Sequence, residues 1–148
     1  MSLFTTILFL HVLGATVWTG GHLVLALTVL PRALRARDPE ILLAFESRYE
    51  RLGMPALVVQ VVTGLWLAYR WLPDPSAWLA LDTTLSVAIT AKLALLLVTL
   101  ALAVSARWRV LPRLDAETLP LLALHVVGVT VASVLFVFAG VVIRAGGL

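Results

Sequence analysis

Runs of apolar residues alternate along the chain with short segments in which arginine, aspartate and proline concentrate. Four of the runs are long enough to cross a hydrocarbon layer, which takes about 20 residues at about 1.5 Å rise each. They extend from Leu3 to Leu30, Met54 to Leu72, Thr83 to Val104 and Leu119 to Ile143. The connections between them are short, which predicts an all-α, integral membrane, antiparallel four-helix bundle forming one domain over residues 1–148. The first run lacks the basic start of a signal peptide and outlasts its apolar region, so it reads as a retained span.

The longest connection, PRALRARDPEILLAFESRYERLG, has its own period. Ile41, Leu42, Phe45, Tyr49 and Leu52 fall on one face opposite charged residues, and Asp38 and Pro39 mark a helix start. An amphipathic cytoplasmic segment between spans one and two is therefore expected.

Composition supports the membrane reading: 61% of the 148 residues are hydrophobic and 13% charged, with a mean hydropathy of +1.05, outside the range of a soluble domain. The net charge of +3 comes from arginines clustered in two connections, which makes it a signal of orientation and not of nucleic-acid binding. Arg32, Arg35, Arg37, Arg48 and Arg51 occupy the first cluster, and Arg107, Arg109 and Arg113 the second. The middle connection, LPDPSAWLALD, has two aspartates and no basic residue. The arginine-rich connections are thus expected in the cytoplasm, with both termini outside a bacterial-type inner membrane. Trp71, Trp78 and Trp108 fall near the span ends, where an indole anchors well. A homo-oligomer of such bundles is left open. There is no cysteine, so disulfides and thiolate metal sites are excluded and imidazole is the strongest ligand left.

Against this apolar background the polar residues within spans stand out. His11 and His22 are eleven residues apart, about 1,100° of helical turn, so they share a face of the first span at levels about 16 Å apart. Counted from the inner ends of their spans, His22 lies about 12 Å deep, His125 about 9 Å and Gln60 about 9 Å. That predicts an inner cluster of His22, His125 and Gln60. At the outer level His11 lies about 12 Å deep and Lys92 about 13 Å, with no acidic residue inside any span to neutralise the lysine.

Two imidazoles on different helices at one depth are a simple way to hold haem iron from both faces. Gly20 and Gly21 beside His22, and Gly128 beyond His125, would let backbones approach a large planar ligand, and Trp18 lies on the same stripe as the two first-span histidines. Copper is the competing ligand, with His11, His22 and His125 as its candidate donors. No hydrolytic or phosphate-binding motif is present.

The residues Leu10, His11, Trp18 and Gly21, spaced L-H-x6-W-x2-G and followed by Leu30-Pro31-Arg32, resemble the opening of the copper resistance protein D family. The third-span segment AKLALLLVTLALAVSARWRVLPRL, with Lys92 and Leu93, resembles that family too. The same residues are also similar to the four-helix, haem-binding protoporphyrinogen oxidase membrane family, whose length and layout are nearer to this chain's. The first resemblance implies copper handling, and the second haem b with porphyrinogen or other redox chemistry. In both, His11 and Lys92 take family positions.

The reading that follows is a small membrane redox protein with a metal cofactor between its helices, haem b ahead of copper, in electron transfer or oxidation. His22 and His125 would ligate the metal, Gly21, Gly128, Gln60 and Trp18 would line the cofactor, and Lys92 with His11 would act at the outer side. A quinone or small oxidant would be the electron partner, with the lipid bilayer as surroundings. The alternatives are a copper-binding component of uptake or resistance without catalysis, and a structural membrane subunit.

Overall fold

The computed structural model describes residues 2–145, and all the long elements among them are helices. Four are long and apolar enough to cross a membrane: α1 (Leu3–Ala36), α2 (Glu40–Trp71), α3 (Thr84–Arg113) and α4 (Leu119–Arg144). The protein is a multi-pass membrane protein with an all-α bundle. Large apolar side chains such as Leu27, Val62, Leu97 and Leu124 are exposed along the helices, as a bundle solvated by lipid requires.

Local chemistry explains where the helices begin and end. Ser2 caps α1, its hydroxyl accepting the N–H of Thr5, and Thr83 with Ser86 forms a reciprocal capping box at the start of α3. In α1 and α3 the same three residues, Leu-Pro-Arg, follow a wider π-type turn, Leu25–Val29 in one and Ala106–Val110 in the other. Pro31 and Pro112 each crowd the carbonyl four residues back. The wider turn relieves this: Leu30 N–H reaches five residues back to Leu25, and Leu111 N–H likewise to Ala106. Both helices therefore continue past the ends expected at Leu30 and Val104. In the connection before α4, the backbone N–H and hydroxyl of Thr118, with the N–H of Glu117, bond to the Asp115 carboxylate and hold it below the usual range.

The amphipathic segment expected between the first two spans is present, and it runs without a break into the second span as the first turns of α2. Its apolar face packs on α1: Leu42 is fully buried, and Phe45 lies against the same cluster. Pro55 inside α2 does not end the helix, as is common for proline in spans with neighbouring helices.

The helices pack in the order α2, α1, α4, α3, so that α1 and α4 meet in the middle while α2 and α3 make little direct contact. Thr19 donates to Ser133 O at 3.4 Å and Thr130 to His22 O at 3.3 Å across the α1–α4 seam. Small and hydroxyl residues there, including Ala132 and Ser133, are almost fully buried. The apolar core lies at the arginine-rich end, around Leu25, Leu30, Ala33, Leu42, Val110, Leu119 and Leu122.

Tyr49 is the clamp between α2 and α1. Its ring fills a notch at Gly21, where an added methyl would collide with the ring, and also lies against Gly53 of its own helix, 2.8 Å from where a Cβ would stand. Its hydroxyl is within bonding distance of two α1 carbonyls, Val17 at 3.1 Å and Trp18 at 3.0 Å. Removing the ring with Tyr49→Ala should cost about 3–5 kcal/mol. Tyr49→Phe, which loses only the hydroxyl, should cost about 1 kcal/mol. Unfolding in mixed micelles measures both, and equal costs would contradict the clamp.

Candidate functional site

Each histidine is fixed by a bond from Nδ1, and the partners differ. His11 Nδ1 lies 3.0 Å from Gln60 O and 3.0 Å from Thr63 Oγ1 on α2. The Thr63 hydroxyl itself donates to Val59 O at 2.6 Å, so the imidazole N–H is the donor to both α2 oxygens. His22 Nδ1 donates to Trp18 O at 2.9 Å. Its ring lies tilted at 44° to that of Trp18, with centres 4.3 Å apart, and meets the Tyr49 ring edge-on at 5.7 Å. His125 Nδ1 donates to Leu121 O at 2.8 Å, and its Nε2 accepts from the Ser105 hydroxyl on α3 at 3.0 Å. His11 and His22 keep Nε2 free of any protein hydrogen bond among the described residues. A carbonyl partner on the opposite nitrogen is the arrangement that orients a ligating imidazole.

His22 and His125 each lie about 28 Å along the helix from the end that holds Leu3 and Arg144, but the α1–α4 seam sets them at different levels: the His22 carbonyl accepts from Thr130, five residues or about 7.5 Å along α4 from His125. They also stand in different interfaces. His22 belongs to the α1–α2 aromatic cluster and His125 to the α3–α4 interface, and no hydrogen bond or ring contact links the two among the described residues. Gln60 is not at either level: it lies about 16 Å from that same end, beside His11 at about 12 Å. The count from Met54 misplaced it, because α2 starts fourteen residues earlier at Glu40 and Met54 marks no helix end.

The room expected for a porphyrin is filled by the chain's own side chains. The notch at Gly21 holds Tyr49, and the one at Gly128 holds Leu102, whose Cδ1 would be 2.9 Å from an added Cβ. Gly20 has open space beside it. The residues present do not fit a haem between His22 and His125. Nor do any three His, Asp or Glu side chains come together as a metal centre among the described residues.

The open space lies at the other end of the bundle. A cavity of about 640 Å³ occupies the seam where α2 and α3 stand apart, lined by all four helices. His11, Trp18 and Gln60 face it from one side and Lys92 from the other. Glycines make room for both outer residues. The His11 ring carbon Cε1 lies 3.0 Å from where a Cβ would stand on Gly64, and Lys92 Nζ 3.4 Å from the equivalent point on Gly140. Trp71 and Trp78, expected as interfacial anchors, also line this cavity, whereas Trp108 is 76% exposed at the arginine-rich end. Two polar atoms of lining residues are buried without a partner among the described residues, the indole Nε1 of Trp18 and Oε1 of Gln60. Nothing in the sequence flags Gly64 or Gly140 as site residues, because each acts only through a neighbour on another helix.

The family model of Copper resistance protein D matches residues 43–147. The chain belongs to that family. No curated protein and no solved structure matches it. The Copper resistance protein D match opens inside α2 and takes in α3 and α4, so it holds Gln60, Lys92 and His125. The first-span pattern of Leu10, His11, Trp18 and Gly21 lies before it, while the third-span segment with Lys92 lies within it. The resemblance to the haem-binding family gains no support.

The packing at the two outer glycines gives a test. Gly64→Ala forces the His11 ring to move and should cost about 1–3 kcal/mol. Gly140→Ala meets only the flexible end of Lys92 at ordinary contact and should stay within about 0.5 kcal/mol of the parent. Stability in micelles, with the His11 ring resonances as a local probe, would show the order, and the reverse order would contradict the site.

Proposed function

We propose that this protein handles copper in the bilayer, as a component of copper resistance or uptake in which the metal is cargo and not a resident cofactor. The observation that carries the reading is the Copper resistance protein D match over residues 43–147 on a four-span bundle. Copper suits the ligands the bundle offers, since imidazole binds it in either oxidation state, the chain has no thiol and the apolar runs hold no carboxylate. His11 and His22, on one face of α1 with Nε2 free, are the donors we assign to transient copper contact. They stand about 16 Å apart along the helix, so each would act alone or with a donor from the ion's other ligands. His125 is the weaker candidate, because the Ser105 hydroxyl already occupies its Nε2.

In this reading the arginine-rich ends of the helices face the cytoplasm of a bacterial-type inner membrane, by the excess of basic residues in those connections. His11 then stands nearer the outer surface and His22 nearer the inner one, which orders them along a path.

Copper uptake into vesicles carrying the purified protein tests the proposal. His11→Ala and His22→Ala should each lower the rate by about tenfold or more, the size of effect that loss of a ligand or its support produces. Uptake unchanged in both variants, or equal to protein-free vesicles in the parent, would contradict it.

A further inference from the structure

The cavity at the α2–α3 seam carries a charge pattern that copper does not explain. Lys92 and Arg144 both line it, and no acidic residue does. The Lys92 ammonium stands against Gly140, four residues or about 6 Å along α4 from Arg144, so the two cations gather toward one end of the chamber. No Asp or Glu occurs in the apolar runs of any span to balance the lysine. An ammonium at this depth without a counter-ion is costly.

Apart from His11, Gln60 and two threonines, the lining below the two cations is aliphatic and aromatic, including Leu57, Val61, Leu93, Leu96 and Phe136. The seam is where helices pack least, so it is the side on which the chamber meets lipid. Its volume of about 640 Å³ falls in the range of about 300–1,000 Å³ that suits a small ligand, not a two-chain phospholipid.

We propose that the cavity binds a single-chain amphiphile with a carboxylate head, a long-chain fatty acid, entering from the bilayer. The carboxylate takes the Lys92 ammonium as its counter-ion, with the Arg144 guanidinium adding to the attraction from the mouth. The chain lies along the apolar lining toward the level of Trp18. The ligand thereby supplies the negative charge that the helices lack. Its binding does not depend on copper being the cargo, and the test below contains no metal.

Native mass spectrometry of the full protein released from neutral detergent measures this directly. Hexadecanoate should bind with a stoichiometry of one and hold at least about tenfold more tightly than hexadecan-1-ol, which has the same chain without the charge. Lys92→Gln should remove most of that preference and Lys92→Arg should keep it. Circular dichroism checks that the variants fold. Should Lys92→Gln fail to fold, Arg144→Gln, at an exposed position, should still reduce the preference several-fold. Equal binding of acid and alcohol by the parent overturns the proposal, as does an undiminished preference in a folded Lys92→Gln. Tighter binding of phosphatidylglycerol than of hexadecanoate would overturn the single-chain assignment.

Discussion

The seating of Tyr49 in the glycine notch of α1 sets the rest of the structure. A ring that fills the space at Gly21 and bonds to the carbonyls of Val17 and Trp18 fixes α2 against α1 in both rotation and height. In lipid there is no hydrophobic force between helices, so close packing at small residues and a few interhelical hydrogen bonds must supply the association. With α2 held there and α4 held on the other flank of α1 through Thr19, Thr130 and Ser133, the bundle closes at the arginine-rich end. The other end is left with α2 and α3 apart, and the cavity is the result.

The same clamp divides the histidines. Trp18 O receives both the Tyr49 hydroxyl and His22 Nδ1, so His22 is absorbed into the α1–α2 aromatic cluster. His11, eleven residues earlier on the same face, meets Gln60 and Thr63 of α2 and borders open space. One face of α1 thus presents an imidazole packed among rings and another at the edge of a chamber. The family match begins within α2, so the histidines of α1 lie before the matched residues.

Much of the architecture was legible in the residues. The apolar runs located all four helices, Ile41, Leu42 and Phe45 marked the packed face ahead of the second span, and depth counting placed His11 level with Lys92. Helix ends were less legible: Leu30-Pro31 and Leu111-Pro112 look like stops, and only the π-type turns before them show how the helices continue. Gln60 was assigned to the wrong level for the same reason, since its depth was counted from a helix end that does not exist. Glycines misled in a different way. Gly21 and Gly128 do mark close approach, but a sequence cannot say whether a ligand or a neighbouring side chain fills the notch, and here Tyr49 and Leu102 do. The cavity was invisible because it depends on which pair of helices fails to pack.

The central claim is that the three histidines serve three separate environments and share no centre. Solid-state NMR on the protein in bilayers, with labelled histidine rings, tests it most directly. The account predicts close correlations from His11 to Thr63 and Gly64, from His22 to Trp18 and Tyr49, and from His125 to Ser105. A direct correlation between the His22 and His125 rings, with those to Tyr49 and Ser105 missing, would contradict it.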